Sequence, residues 1–259
     1  MTGQAPSAAM SSEPEPNGEV RLPLTEHLEE LRTRLIRSLL AMAIGSAICY
    51  TKAEPIYRAL LAPLLSHLPA DSRMIFTELT EAFLTYFKVA LWGGFLLASP
   101  VIFYQMWKFV SPGLYRKERK LLLAFSFWST VALLSGTAFA YFLAVPVIFT
   151  FFLSFGGSTI LPMPSMRDSL SLILRILILF GVMFEIPLIL FLAGRAGIVS
   201  PDLLRRGRKG ALLAVFLAGA VLTPPDAISQ ILIAIPLYLL YELGILLCAA
   251  GSRPGGRQG

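Results

Sequence analysis

Residues 180–194, FGVMFEIPLILFLAG, carry one carboxylate, Glu185, with no charged residue within nine positions on either side. Pro187 follows it and frees the carbonyl of Met183, so a second polar group is expected at the same place. An acid in that setting could take up a proton, or meet a polar ligand group brought into an apolar phase. It could also be satisfied by neighbouring Ser or Thr hydroxyls. Two other stretches hold acids beside clustered cations. LTEHLEELRTRL (24–35) places Glu26, Glu29 and Glu30 in the opening turns of a helix, where carboxylates favour the dipole, and Glu30 stands four residues before Arg34. WKFVSPGLYRKERK (107–120) holds Glu118 as its only acid.

Each of these two stretches supports two readings. The first is a well-started amphipathic helix at a membrane surface, and exposed charge pairs there are commonly structural. The sharper reading is that its carboxylates receive an Arg-bearing ligand, because a guanidinium meets a carboxylate through two parallel hydrogen bonds. Glu118 either balances local charge or supplies a second carboxylate to the same space. Trp107, Phe109 and Tyr115 read as interfacial aromatics beside it.

The elements that must position these residues follow from composition. The chain has 259 residues, 56% hydrophobic and only 15% charged. Residues 121–166 contain no Lys, Arg, Asp, Glu or His. Such runs mark transmembrane helices, since backbone groups facing lipid must find partners within their own segment. Six segments can be drawn, at about 33–52, 82–110, 119–152, 168–195, 209–222 and 228–250. The expected fold is an all-α membrane protein of six transmembrane helices without an internal repeat. The third segment is long enough to bend near Pro146, whereas residues 210–222 span only ~20 Å. With the Thr223-Pro224-Pro225-Asp226 turn, helices five and six form a short hairpin beside which the bilayer thins or the bundle is indented. Glu185 then lies ten residues, or ~15 Å, from Arg195, at a cost of ~2.5–3.5 kcal/mol on insertion scales.

Fifteen Lys and Arg residues gather on one side under this segmentation and four on the other, which predicts both termini cytoplasmic. The internal Arg205-Arg206 pair is a determinant of that topology. The net charge of +6 needs no nucleic acid to explain it. Residues 1–21 read as a disordered tail rather than a cleaved leader, 22–250 as the membrane domain, and 251–259 as a second tail. Cys49 and Cys248 fall near opposite membrane faces, too far apart for a disulfide, and provide no metal set. His27 and His67 also fall on opposite sides, so no histidine triad or zinc site assembles, and neither enzyme activity nor a cofactor is expected. A proton-coupled transporter using Glu185 is the alternative, opposed by the missing repeat and the thirteen-residue helix.

The stretch His27-Leu28-Glu29-Glu30-Leu31-Arg32 resembles the HLxELR opening of TatC, the polytopic subunit of the twin-arginine protein translocase. APLL (62–65), SPVIFYQMWKFVSPGLYRKER (99–119), AFAYFLAVP (138–146), FGVMFEIPL (180–188) and LTPPDAISQILIAIPLYLLYELG (222–244) extend the likeness over about residues 22–245. The resemblance implies a concave receptor in the cytoplasmic (inner) membrane for folded proteins bearing Arg-Arg signal peptides. Glu30 and Glu118 would form the site for the arginine pair, with Phe109 on the same surface and Arg32 in the opening motif. Glu185 would sit in a polar pocket of the concave face, Pro63 in the outer cap, and Asp226 and Gln230 at the outer hairpin tip. Partners implied are the single-span TatA and TatB subunits, lipid and further copies of the chain. The implied energy source is the proton motive force, without a nucleotide.

Overall fold

The computed structural model of the chain describes residues 24–68, 74–75, 78–114, 119–154, 163–222 and 227–251. These residues are helical almost throughout, and among them no β-strand forms beyond a single bridge between Ile75 and Ser165. Both predicted tails lie outside the described residues, apart from Gly251.

Helix α1 (Leu24–Tyr50) is 27 residues long, so the acidic opening and the first apolar segment are one continuous rod. Helix α2 (Ala53–Leu65) is a short amphipathic element at its far end, followed by α3 (Glu81–Leu114). The third apolar segment is α4 (Arg119–Phe139), a π-turn at Ala140–Ala144, and α5 (Val145–Leu153). The deviation expected near Pro146 therefore falls in the turn before it. Proline lacks the N–H that would bond four residues back, and the wider π-turn absorbs the mismatch.

The fourth segment is not one helix. It divides into α6 (Met166–Met183) and α7 (Ile186–Arg195), with Phe184 and Glu185 in the turn between them. The six-residue α8 (Pro201–Arg206) leads to α9 (Arg208–Leu222) and α10 (Ala227–Gly251). Among the described residues, five stretches are long and apolar enough to cross a bilayer: His27–Tyr50, Glu81–Val110, Lys120–Leu153, Met166–Arg195 and Gln230–Gly251. The sixth predicted crossing, α9, has only 15 residues and rises ~22 Å, as its sequence requires. Leu35, Leu39, Ile44, Phe142, Leu217 and Leu246 all point outward, which suits a molecule solvated by lipid tails.

The core joins α2, α3, the π-turn, α5, α6, α9 and α10 around Leu61, Ile148, Leu170, Ile173, Phe180 and Leu237. Helix α1 stands outside it and packs along α3 through small residues. A Cβ on Gly45 would sit 2.8 Å from the Gly94 carbonyl oxygen, and one on Gly94 would run into the backbone of Ser46. Close approach of two backbones is the usual reason for glycine between transmembrane helices.

At the α2 end, Glu81 is 2% exposed and gathers the surrounding loops. Its carboxylate accepts from Ser165 Oγ at 2.9 Å and from the Arg167 N–H at 2.8 Å. The Met166 N–H donates to the Ile75 carbonyl at 2.9 Å, closing the same corner. Burial, together with nearby Tyr86 and Glu81, pushes the Tyr57 phenol well above its ordinary value, so it remains a donor, here toward Met74 Sδ at 3.8 Å.

Candidate functional site

Helical spacing puts His27, Glu30 and Arg34 on one face of α1, and the structure brings them into a single cluster. Arg34 Nε donates to Glu30 Oε1 at 3.2 Å, and its Nη2 donates to the same oxygen. Glu30 Oε2 lies 3.9 Å from His27 Nδ1. The His27 ring stacks on Phe109 of α3, with centroids 4.4 Å apart and planes within 14°. One carboxylate thus has its first oxygen gripped by a resident guanidinium and its second turned toward a histidine–phenylalanine stack. The Arg34 side chain is 10% exposed and that of Glu30 is 30% exposed, so the anion is the reachable member of the pair.

That stack also fixes geometry at a larger scale. It places the start of α1 at the same end of the bundle as the end of α3, where α3 stops at Leu114 and α4 begins at Arg119. Glu118 itself lies outside the described residues. Arg32, two residues past Glu30, is exposed and turned away from the cluster, and no ion pair engages it among the described residues.

Glu185 occupies the break between α6 and α7 and is 7% exposed. Neither of its carboxyl oxygens makes a hydrogen bond of normal geometry. The Ser129 hydroxyl of α4 faces it, and Ser129 Oγ accepts from Trp107 Nε1 of α3 at 2.8 Å. Three elements therefore converge on one polar spot in an apolar bundle. With its oxygen already accepting from tryptophan, Ser129 can turn its own proton toward the acid.

Of the remaining predicted positions, Pro63 and Gln230 have described contacts. Pro63 lies within α2, and its carbonyl accepts from Ser66 Oγ at 3.0 Å. Gln230 Nε2 donates to the Phe216 carbonyl at 2.7 Å, tying α10 to the short α9. Asp226 lies outside the described residues. The pairing of Arg34 with Glu30 was expected from the sequence, whereas the roles of His27, Trp107 and Ser129 in these two sites went unassigned. The three-residue spacing from His27 to Glu30 was a usable signal for the first. Nothing local linked Trp107 to Ser129.

Comparison with known proteins matches residues 26–236 to the family described as "Sec-independent protein translocase protein (TatC)". The chain belongs to the TatC family. A relative of that name from Desulforapulum autotrophicum is 45% identical over 93% of this chain and 87% of its own length. Another, from Magnetococcus marinus, is 46% identical over 88% and 84%, and one from Escherichia coli is 37% identical over 86% of each chain. A solved structure titled "Crystal Structure of Twin Arginine Translocase Receptor- TatC" superposes with a TM-score of 0.79. It is 37% identical and covers 88% of this chain and all of its own. The chain is therefore a multi-pass membrane component of the twin-arginine translocase.

Proposed function

We propose that this chain is the receptor subunit that binds the Arg-Arg signal peptides of folded precursors. Glu30 and Glu118 serve as the acceptors for the arginine pair, and Phe109 forms part of the same surface. The single observation that carries this reading is the Glu30 carboxylate, held at a helix end, reachable from outside and already able to bind a guanidinium. Arginine suits this acceptor better than lysine because its planar fork can engage both carboxylate oxygens.

In this reading the receptor lies in the inner membrane with both termini cytoplasmic, in line with the lopsided distribution of Lys and Arg. It assembles with the single-span TatA and TatB subunits and with further copies of itself, and export draws on the proton motive force. The apolar part of a signal peptide enters along the bundle, where Glu185 receives a polar group carried to mid-membrane depth. Pro63 shapes the outer cap, while Asp226 and Gln230 set the outer hairpin tip.

Photocrosslinking probes placed around residues 30 and 118 test the reading, using an Arg-Arg signal peptide beside a Lys-Lys control. The expected result is strong labelling by the arginine form only, lost on charge reversal at Glu30 or Glu118 in a bundle that stays folded. Unchanged yield in both reversed variants would refute it.

A further inference from the structure

The acceptor carboxylate is not empty in the resting chain, because Arg34 already binds it. Both Nε and Nη2 of Arg34 engage Glu30 Oε1, while Oε2 makes no hydrogen bond among the described residues and lies 3.9 Å from His27 Nδ1. The remaining donor, Arg34 Nη1, is buried and makes no hydrogen bond. On the facing helix, Gln105 Oε1 is also buried and accepts none.

These two orphaned atoms are complementary, a donor and an acceptor, and they share a register. Helices α1 and α3 are antiparallel and touch at Gly45 and Gly94. Arg34 lies eleven residues from Gly45 along α1, and Gln105 lies eleven residues from Gly94 along α3. Gln105 is also four residues before Phe109, hence on the face of α3 that meets His27. A buried polar atom without a partner is costly, so two such atoms on adjoining surfaces mark a bond available to a small side-chain movement.

We propose that Arg34 is a resident competitor for Glu30 that determines specificity, and that Gln105 is its second berth. The proposal rests on the reading of Glu30 as the signal-peptide acceptor. An incoming guanidinium first meets Oε2, the oxygen Arg34 leaves open. To engage both oxygens it must take Oε1 from Arg34, whose guanidinium then turns to Gln105 Oε1. A lysine ammonium has no planar fork to engage both oxygens together, and displaces Arg34 poorly. The internal pair thus sets a threshold that favours arginine, and binding shifts α1 against α3 at their common end.

The test uses the full-length chain in lipid nanodiscs and a fluorescent signal peptide in Arg-Arg and Lys-Lys forms, with affinity read by anisotropy at two salt concentrations. Arg34→Gln should bind the Lys-Lys peptide about tenfold more tightly and narrow the Arg/Lys discrimination by a similar factor. Arg34→Lys should stay close to wild type. Arg37→Gln, which removes an exposed cation from the same helix, should cause only a small change that fades with salt. Gln105→Leu should weaken Arg-Arg binding severalfold in the wild-type background and have no effect in Arg34→Gln, a coupling that independent sites would not show.

A weakened Arg34→Gln, with intact melting behaviour, overturns the proposal and makes Arg34 a brace for Glu30. Additive effects of the two substitutions overturn the role of Gln105. Unaltered binding in Glu30→Gln would instead refute the underlying acceptor reading, so the two failures are distinguishable.

Discussion

His27 lies flat against Phe109, and this one ring contact joins the opening of α1 to the closing turns of α3. It sets which surface of each helix faces the Glu30 carboxylate, three residues along from His27. A stacked aromatic pair contributes ~0.5–1.5 kcal/mol beyond the area it buries. Phe109→Ala should therefore destabilise the bundle by more than that amount, since the buried area of the ring is lost too, and weaken Arg-Arg peptide binding, whereas Phe109→Trp should retain both. Thermal unfolding in detergent and peptide anisotropy check the two halves separately.

The α1–α3 contact leaves no room for side chains at its glycines. Gly94→Val should force α1 outward, at a cost of ~1–3 kcal/mol from overpacking. Cysteines placed at Ser46 and Leu97 report the separation through slower disulfide formation. A rate equal to that of the parent chain would contradict the tight approach.

Glu185 is buried without a hydrogen bond of normal geometry, so it stabilises little in its present surroundings. Glu185→Leu should leave folding intact or raise thermal stability by ~1–3 kcal/mol, because replacing an uncompensated polar group with an apolar one removes its desolvation penalty. Export of a twin-arginine cargo should fall in the same variant. A drop in stability would show the acid to be a structural support instead.

Glu81 has the opposite character: it is buried and satisfied. Glu81→Ala strands the Ser165 hydroxyl and the Arg167 N–H, and should cost ~2–4 kcal/mol. Hydrogen exchange should rise at Arg167 while α1 keeps its protection. Uniform loosening of the whole chain would show that the corner is not a local clamp.

The crossings were legible because charge-free runs long enough to span lipid have few other physical explanations. The shortness of α9 was equally plain from residue count alone. Pro187 announced the disruption around Glu185, although a proline marks only a neighbourhood, and the break settled at Phe184 and Glu185. The four-residue spacing from Glu30 to Arg34 gave their contact directly. The mate of each helix was hidden. Gly45 and Gly94 belong to segments rich in small and apolar residues, and no one-dimensional pattern says that these two glycines meet. The Trp107–Ser129 bond bridges separate helices, and the shared register of Arg34 and Gln105 emerges only once Gly45 and Gly94 are set side by side. Such information arises when rods pack, after local propensity has already been decided.

The interruption at Phe184 and Glu185 also apportions the chain mechanically. Helix α6 beds against α4, whereas α7, its continuation, beds against α10. Two bodies of the molecule therefore share one articulated strut, and its elbow carries the lone buried acid of that strut. Any displacement of the elbow therefore bears on the α4 seat and the α10 seat together, and a hinge at this one turn would tilt α7 against α6 while leaving both helices whole.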